Sequence, residues 1–138
     1  GADVALNNKW LMQTVSLAGT RLKGMMLQQV QLLQNGKVAY LFVDRQMLET
    51  TGARSVDCDA ALNESLYLPT VETALLLREN RDGSLKGSLR TQSATDMSAV
   101  AKAFGGGGHA YAAGFEVSGM DAPELLNKIL ETIDKETD

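Results

Sequence analysis

Five glycines fall within the ten residues Gly105-Gly106-Gly107-Gly108-His109-Ala110-Tyr111-Ala112-Ala113-Gly114, and they bracket the chain's one histidine. Glycine has no Cβ, so it reaches positive φ without strain and lets another group come close to its backbone. Successive uncovered N–H groups can form a concave nest for an anion. The small residues after His109 read as the start of the next turn or helix, and a helix N-terminus also favours anions. A flexible tether would be Gly/Ser-rich and polar over many residues. This run instead passes from Phe104 to a histidine and then to Ala-Tyr-Ala-Ala-Gly-Phe, a segment built to pack. It reads as a phosphate-binding loop.

The rest of the chain alternates helical and strand patterns. From about Asn7 to Met26, Leu11, Val15, Ala18, Leu22 and Met25 recur on one helical face, with Trp10 and Met12 beside the stripe as packing residues. A hairpin follows, with arms Val30–Leu33 and Lys37–Val43 around Asn35-Gly36, a pair suited to a type I′ turn. Its second arm is almost continuously apolar, as in a strand covered on both faces. Asp44 can cap a short helix through Met47 and Leu48, with Gly52 at its end. Asp57 or Asp59 can start another through Ala61, Leu62 and Leu66, stopping before Pro69. Those acids suit a helix start electrostatically and need no metal to explain them.

Val71–Arg78 and Leu85–Arg90 are two more strands, joined by the turn signal Asn80-Arg81-Asp82-Gly83. Met97, Val100, Ala101 and Phe104 give a helical face that Ser93 or Thr95 can cap and Gly105 can end in the left-handed conformation. Phe115–Val117 is a short strand. Asp121-Ala122-Pro123-Glu124 opens a last helix that buries Leu125, Leu126, Ile129, Leu130 and Ile133. The expected fold is a single α/β (α+β) domain: a mixed sheet of about five strands with flanking helices, preceded by an N-terminal helix.

At 138 residues the chain can bury a real core, and its 44% hydrophobic and 22% charged residues are ordinary for a soluble protein. No stretch approaches the ~20 apolar residues of a membrane span, and the first residues lack the sections of a signal peptide. Cys58, the one cysteine, has no internal disulfide partner, so the cytoplasm is the expected compartment. Gly1 in place of methionine points to a piece of a longer protein. Thirteen Lys and Arg are outnumbered by 17 Asp and Glu, for a net charge of −4, and no basic run exists. Gripping a long nucleic acid requires neutralising many phosphates. The balance therefore favours a short oligonucleotide, a mononucleotide or another small phosphate ester.

Strand alternation puts Lys86, Ser88 and Arg90 on one face, just before the helix that leads into the glycines. A guanidinium offers a planar fork of donors matched to phosphate oxygens. The pattern alone leaves Arg90 as either a phosphate ligand or a solvated strand end. A lone histidine is most often a surface or core residue, but the position of His109 after four glycines argues for a site. There it could donate to a phosphate oxygen and stabilise charge as a P–O bond breaks. Tyr111 could stack on a base beside it. Two-metal phosphoester hydrolysis needs several carboxylates and histidines around cations about 3.5–4 Å apart, and one histidine is too few. Cys58 lies between two aspartates, which raise rather than lower a thiol's pKa.

The string Gly105 to His109, followed by Ala112-Ala113-Gly114, resembles the signature of the DHHA1 domain, the C-terminal substrate-binding domain of the DHH phosphoesterases. That family includes RecJ-type exonucleases, nano-RNase/pAp-phosphatases, cyclic-dinucleotide phosphodiesterases and exopolyphosphatase-like proteins. A related domain closes the alanyl-tRNA synthetases. The resemblance implies a five-stranded sheet with flanking helices over residues 28–138, with residues 1–27 as the lead-in from a preceding domain. It also implies a Ser-x-Arg-Ser strand whose arginine contacts substrate phosphate, onto which Ser88, Arg90 and Thr91 fall, Thr91 replacing the usual serine. The histidine after the glycines would meet the substrate phosphate as the catalytic residue, with Gly105, Gly106, Gly107, Gly108 and Tyr111 around it. Where relatives carry Asp-Val-Asn, this chain has Asp96-Met97-Ser98.

The family's Asp-His-His triplet, which holds manganese in an N-terminal domain, does not occur in these residues. The resemblance thus implies a clamp for short oligonucleotides or pAp, without cofactor in this chain, completed by a DHH domain and compatible with a homodimer. The isolated chain is expected to be inactive. The alternatives are a non-catalytic nucleic-acid-binding or assembly module, or the same domain in a cyclic-dinucleotide phosphodiesterase or exopolyphosphatase.

Overall fold

The computed structural model of the chain describes residues 16–138. Helix α1 (Leu17–Gln28) is capped by Ser16, whose hydroxyl accepts from the Gly19 N–H at 2.9 Å. It buries Gly19, Leu22 and Met26. The expected helical stretch from Asn7 through Val15, with Trp10, Leu11 and Met12, lies outside the described residues.

Strands β1 (Gln31–Leu33) and β2 (Val38–Val43) form the expected hairpin. Its reversal falls on Gln34-Asn35, one residue before Asn35-Gly36, with φ of 51° and 60°. The Gly36 N–H closes that turn on the Leu33 carbonyl at 3.1 Å. Helix α2 (Arg45–Thr51) has its Asp44 cap, at 2.8 Å from the Met47 N–H, and its left-handed Gly52 end. A 3₁₀ turn (Ser55–Asp57) leads into α3 (Cys58–Ser65), with Asp57 at its start and Asp59 in its first turn. Strands β3 (Thr73–Glu79) and β4 (Leu85–Thr91) follow, then α4 (Met97–Lys102). Asp96 caps α4 through the Ser98 N–H at 2.9 Å, in place of Ser93 or Thr95. The chain ends with β5 (Gly107–Gly108), β6 (Ala112–Val117) and α5 (Ala122–Thr137), whose cap is Asp121.

The strands make one mixed sheet of six, in the order β1-β2-β3-β4-β6-β5. Every neighbouring pair is antiparallel except β2–β3, which is parallel. A parallel pair requires a crossover, and α2, the 3₁₀ turn and α3 provide it. Registered neighbours share a face. On the front, Ala39, Leu41, Val43, Ala74 and Leu76 are buried with Leu22, Met26, Leu48 and Leu62 from the helices before β3. On the back, Tyr40, Leu75, Leu77, Leu89 and Phe115 are buried with α4 and α5 through Met97, Val100, Leu125 and Ile129.

The front helices stop at β3. Beyond them, the front residues of β4 (Lys86, Ser88, Arg90) and of β6 (Ala112, Gly114) are only half-buried, while their back-facing neighbours Leu85, Leu89, Ala113 and Phe115 are buried.

Gly87 marks a tight point on the back face. A Cβ there would lie 2.2 Å from Cζ of Phe115, whose ring also stacks on Phe104 at 4.9 Å. Gly87→Ala is expected to cost about 1–3 kcal/mol, the usual range for overpacking a core. At Gly24, on the exposed side of α1, nothing lies within 4 Å of a Cβ. Gly24→Ala is expected to stabilise by up to about 1 kcal/mol through helix propensity. Urea denaturation of both variants checks the contrast.

Candidate functional site

The site grows from the register of three strands on the open front face. Ser88 pairs with Gly114, and Gly114 with Gly107. Arg90 pairs with Ala112, and Ala112 exchanges backbone hydrogen bonds with His109 at 2.8 and 3.2 Å. Residues directly opposite in an antiparallel ladder point the same way. Arg90 and His109 therefore flank Ala112 on the front, two strand spacings or about 10 Å apart. The floor between them is made of glycine and alanine.

The next row adds more charge. Lys86 stands opposite Arg78 of β3, and its ammonium Nζ lies 3.1 Å from where a Cβ on Gly114 would sit. It can fold over that bare backbone because no side chain is there. The 3₁₀ turn and the start of α3 supply the facing wall through Ser55, Val56 and Asp59. Together these groups enclose a cleft of about 420 Å³. Among the described residues Asp59 is the one carboxylate lining it, against Arg78, Lys86 and Arg90.

The glycine run differs from an anion nest. Gly105, at φ 84°, and Gly106 donate to the carbonyls of Lys102 and Ala101 at 3.1 and 2.9 Å, closing α4. The His109 N–H is bonded to Ala112, so the run does not offer successive free donors. Of the turn or helix expected after His109, the turn is present: Ala110 and Tyr111 turn the chain into β6, and no helix starts there. The glycines serve close packing instead. A Cβ on Gly106 would lie 2.1 Å from the Gly114 carbonyl oxygen, and one on Gly108, at φ 146°, would lie 2.7 Å from that of Ala112. Gly107 alone of the four both lines the cleft and has ordinary φ with nothing within 4 Å of a Cβ.

Of the residues singled out from sequence, Ser88, Arg90, Gly107 and Gly108 line the cleft. His109 and Tyr111 are exposed at the β5–β6 turn, with rings stacked at 5.6 Å and 10°. Gly105 and Gly106 belong to the helix end and not to the lining. Thr91 turns to the opposite face from Arg90. Its buried hydroxyl bonds Thr73 Oγ1, the Glu72 carbonyl and Ser93 Oγ at 2.8–3.0 Å, which is structural work. Arg78 was missed. Alternation along Thr73–Glu79, combined with the Asn80–Gly83 turn that sets the register, was the available signal.

Among the described residues no group of three His, Cys, Asp or Glu side chains could hold a metal ion. The described residues do not fit the manganese pair that the resemblance implies. No described helix is long and apolar enough to cross a membrane.

The DHHA1 domain description matches residues 35–137. The chain belongs to the DHHA1 family. Over 116 residues it is 29% identical to a bifunctional oligoribonuclease and PAP phosphatase, NrnA, of Thermus thermophilus, covering 84% of this chain and 34% of that protein. An exopolyphosphatase-related protein of Bacteroides fragilis superposes with a TM-score of 0.79 at 24% identity, covering 88% of this chain and 36% of its own. The pGpG-specific phosphodiesterase PggH of Vibrio cholerae superposes at 0.62 and 18% identity, covering 86% and 40%. The two superpositions establish a shared fold. The chain spans about a third of the length of the curated relative it matches.

Cys58 is fully buried behind the cleft wall, and burial above all pushes its thiol up to about 11, with Asp59 and Asp57 adding and Arg78 subtracting. Desolvation outweighs the flanking aspartates that the sequence points to. The native thiol is expected to resist a disulfide reagent such as DTNB at pH 8 and to react at once in denaturant. Stoichiometric labelling of the folded protein would contradict this placement.

Proposed function

We propose that this domain is the substrate-binding half of a manganese-dependent phosphoesterase that hydrolyses short oligonucleotides or nucleotide bisphosphates such as pAp. The observation that carries the reading is the Arg90–Ala112–His109 row: Arg90 lines a cleft where cations outnumber acids on an acidic chain, and His109 stands across the bare floor on the exposed turn beside it. A terminal phosphate fits such a gap. The names of the Thermus and Vibrio relatives, an oligoribonuclease/PAP phosphatase and a pGpG phosphodiesterase, support a nucleotide phosphate as ligand. The metal ions belong, in this proposal, to an N-terminal DHH domain of the parent protein, with residues 1–27 leading in from it.

The two donors divide the work. Arg90 offers a forked set of N–H groups. One already donates to the Leu89 carbonyl at 2.9 Å, which steadies the guanidinium. It holds phosphate alike in ground and transition states. His109, on the exposed turn, reaches the reacting phosphate, and its hydrogen bond strengthens as charge develops there. Tyr111, 65% exposed and parallel to that imidazole, offers a face for a nucleobase.

The isolated chain is expected to bind a dinucleotide without hydrolysing it in manganese. In the metal-bearing parent, Arg90→Ala should mainly raise KM, the mark of uniform binding. His109→Ala should lower kcat by ~10²-fold or more, the scale of losing one oxyanion donor. Steady-state kinetics on a dinucleotide separate the two, and a His109→Ala enzyme with normal kcat would refute the assignment. Gly107→Val should keep the fold yet weaken nucleotide binding by roughly tenfold or more, about 1.4 kcal/mol. Calorimetry beside a thermal melt reads both.

A further inference from the structure

A second cleft, of about 450 Å³, adjoins the first and shares Ser55 and Arg78 with it. It lies where the end of α2 meets the β3–β4 turn, and Arg45, Arg54, Arg78 and Arg81 line it. The two clefts together take six of the chain's 13 Lys and Arg but three of its 17 Asp and Glu. On a chain of net charge −4, that concentration runs against composition.

The acids of the second cleft are both turned to one residue. Glu49 pairs with the Arg45 guanidinium at 3.8 Å, and Glu79 accepts from the Arg45 N–H at 3.1 Å. Among the described residues, the guanidinium groups of Arg54, Arg78 and Arg81 form no salt bridge, and the carboxylate next to Arg54, that of Asp57, accepts from its backbone N–H at 2.8 Å. Arg78 donates only to the Asn80 side-chain oxygen, at 3.3 Å. An ordinary solvated face intersperses both signs of charge. Guanidinium groups that outnumber the acids of one hollow repel one another, and an anion joining them relieves that repulsion.

We propose that this second cleft is a subsite for the continuing phosphodiester backbone of an oligonucleotide whose terminal phosphate lies between Arg90 and His109. The inference rests on the function proposed above and narrows it, making the preferred substrate an oligonucleotide rather than a nucleotide bisphosphate. Lys86 stands four residues along β4 from Arg90, roughly 13 Å at the rise of a strand. That exceeds the separation of the two phosphates on one nucleoside and matches a strand of two or more nucleotides. Arg78, opposite Lys86 and common to both clefts, hands the backbone on to Arg54 and Arg81.

The test measures binding of the full chain to a 5′-phosphorylated pentanucleotide and to pAp, by fluorescence anisotropy and competition over a salt series. The variant is the double substitution Arg54→Ala/Arg81→Ala. Both side chains are exposed, and a thermal melt verifies the fold. The expected result is a loss of roughly tenfold in pentanucleotide affinity with pAp affinity unchanged. The slope of log K against log salt should become shallower by about 1.4 for the pentanucleotide, at ~0.7 per phosphate contact on a single strand.

Arg90→Ala serves as the control and should weaken both ligands. If it does and the double variant leaves the pentanucleotide unaffected, the subsite is overturned and the terminal-phosphate site stands. Equal losses for both ligands also overturn it, since they mark a diffuse field or a surface for another domain. If Arg90→Ala weakens neither, or the unaltered chain binds neither, the underlying site is wrong and the subsite falls with it.

Discussion

The front-face chemistry of this domain depends on the register of β4 against β6. Ser88 opposite Gly114 and Arg90 opposite Ala112 put polar side chains over a floor of small residues. A slip of one residue would send every one of them to the other face. The opposite side of the same ladder holds that register. Phe115 packs over Gly87, the one position in β4 with no Cβ to meet its ring, and Gly106 lies close beneath the same stretch of β6. Core packing on the back and the binding surface on the front are thus one constraint seen from two sides.

The second requirement is a front face that the described helices leave uncovered beyond β3. Helices α1, α2 and α3 bury the front over β2 and β3 and go no further. The crossover demanded by the parallel β2–β3 pair places the 3₁₀ turn at the boundary, so the wall of the cleft is also the edge of the front core. Charge follows the same geography. The chain is acidic as a whole, yet its open quarter gathers lysine and arginine. Net charge alone would have hidden this, because it sums over surfaces that no ligand touches.

Much of this was legible in the residues. The caps at Asp44, Gly52 and Asp121 rest on local chemistry and occur where the pattern puts them, while Gly105 is left-handed as expected but lies two residues past Ala103, the C-cap of α4. The shared face of Lys86, Ser88 and Arg90 also occurs where the pattern puts it, and it needs only the period of a strand. What failed needed longer-range information. Thr91 belongs to a motif that suggests a common role with Arg90, yet the same alternation turns it into the sheet's interior network. Four glycines suggest free N–H groups, and only the tertiary structure shows α4 taking those of Gly105 and Gly106. The capping of α4 by Asp96 rather than Ser93 or Thr95 was settled by how the chain leaves β4, one residue's difference that composition does not encode.

The glycine run also shapes how the sheet ends. A free strand edge exposes unpaired N–H and C=O groups that can recruit another chain. Here β5 is two residues long and β1, at the far edge, is three. Gly108 at φ 146° and the turn at His109 stop the outer strand from extending. Each border of the sheet is thereby too short to template a neighbour. A surface kept bare for a ligand sits beside an edge that offers little backbone for pairing.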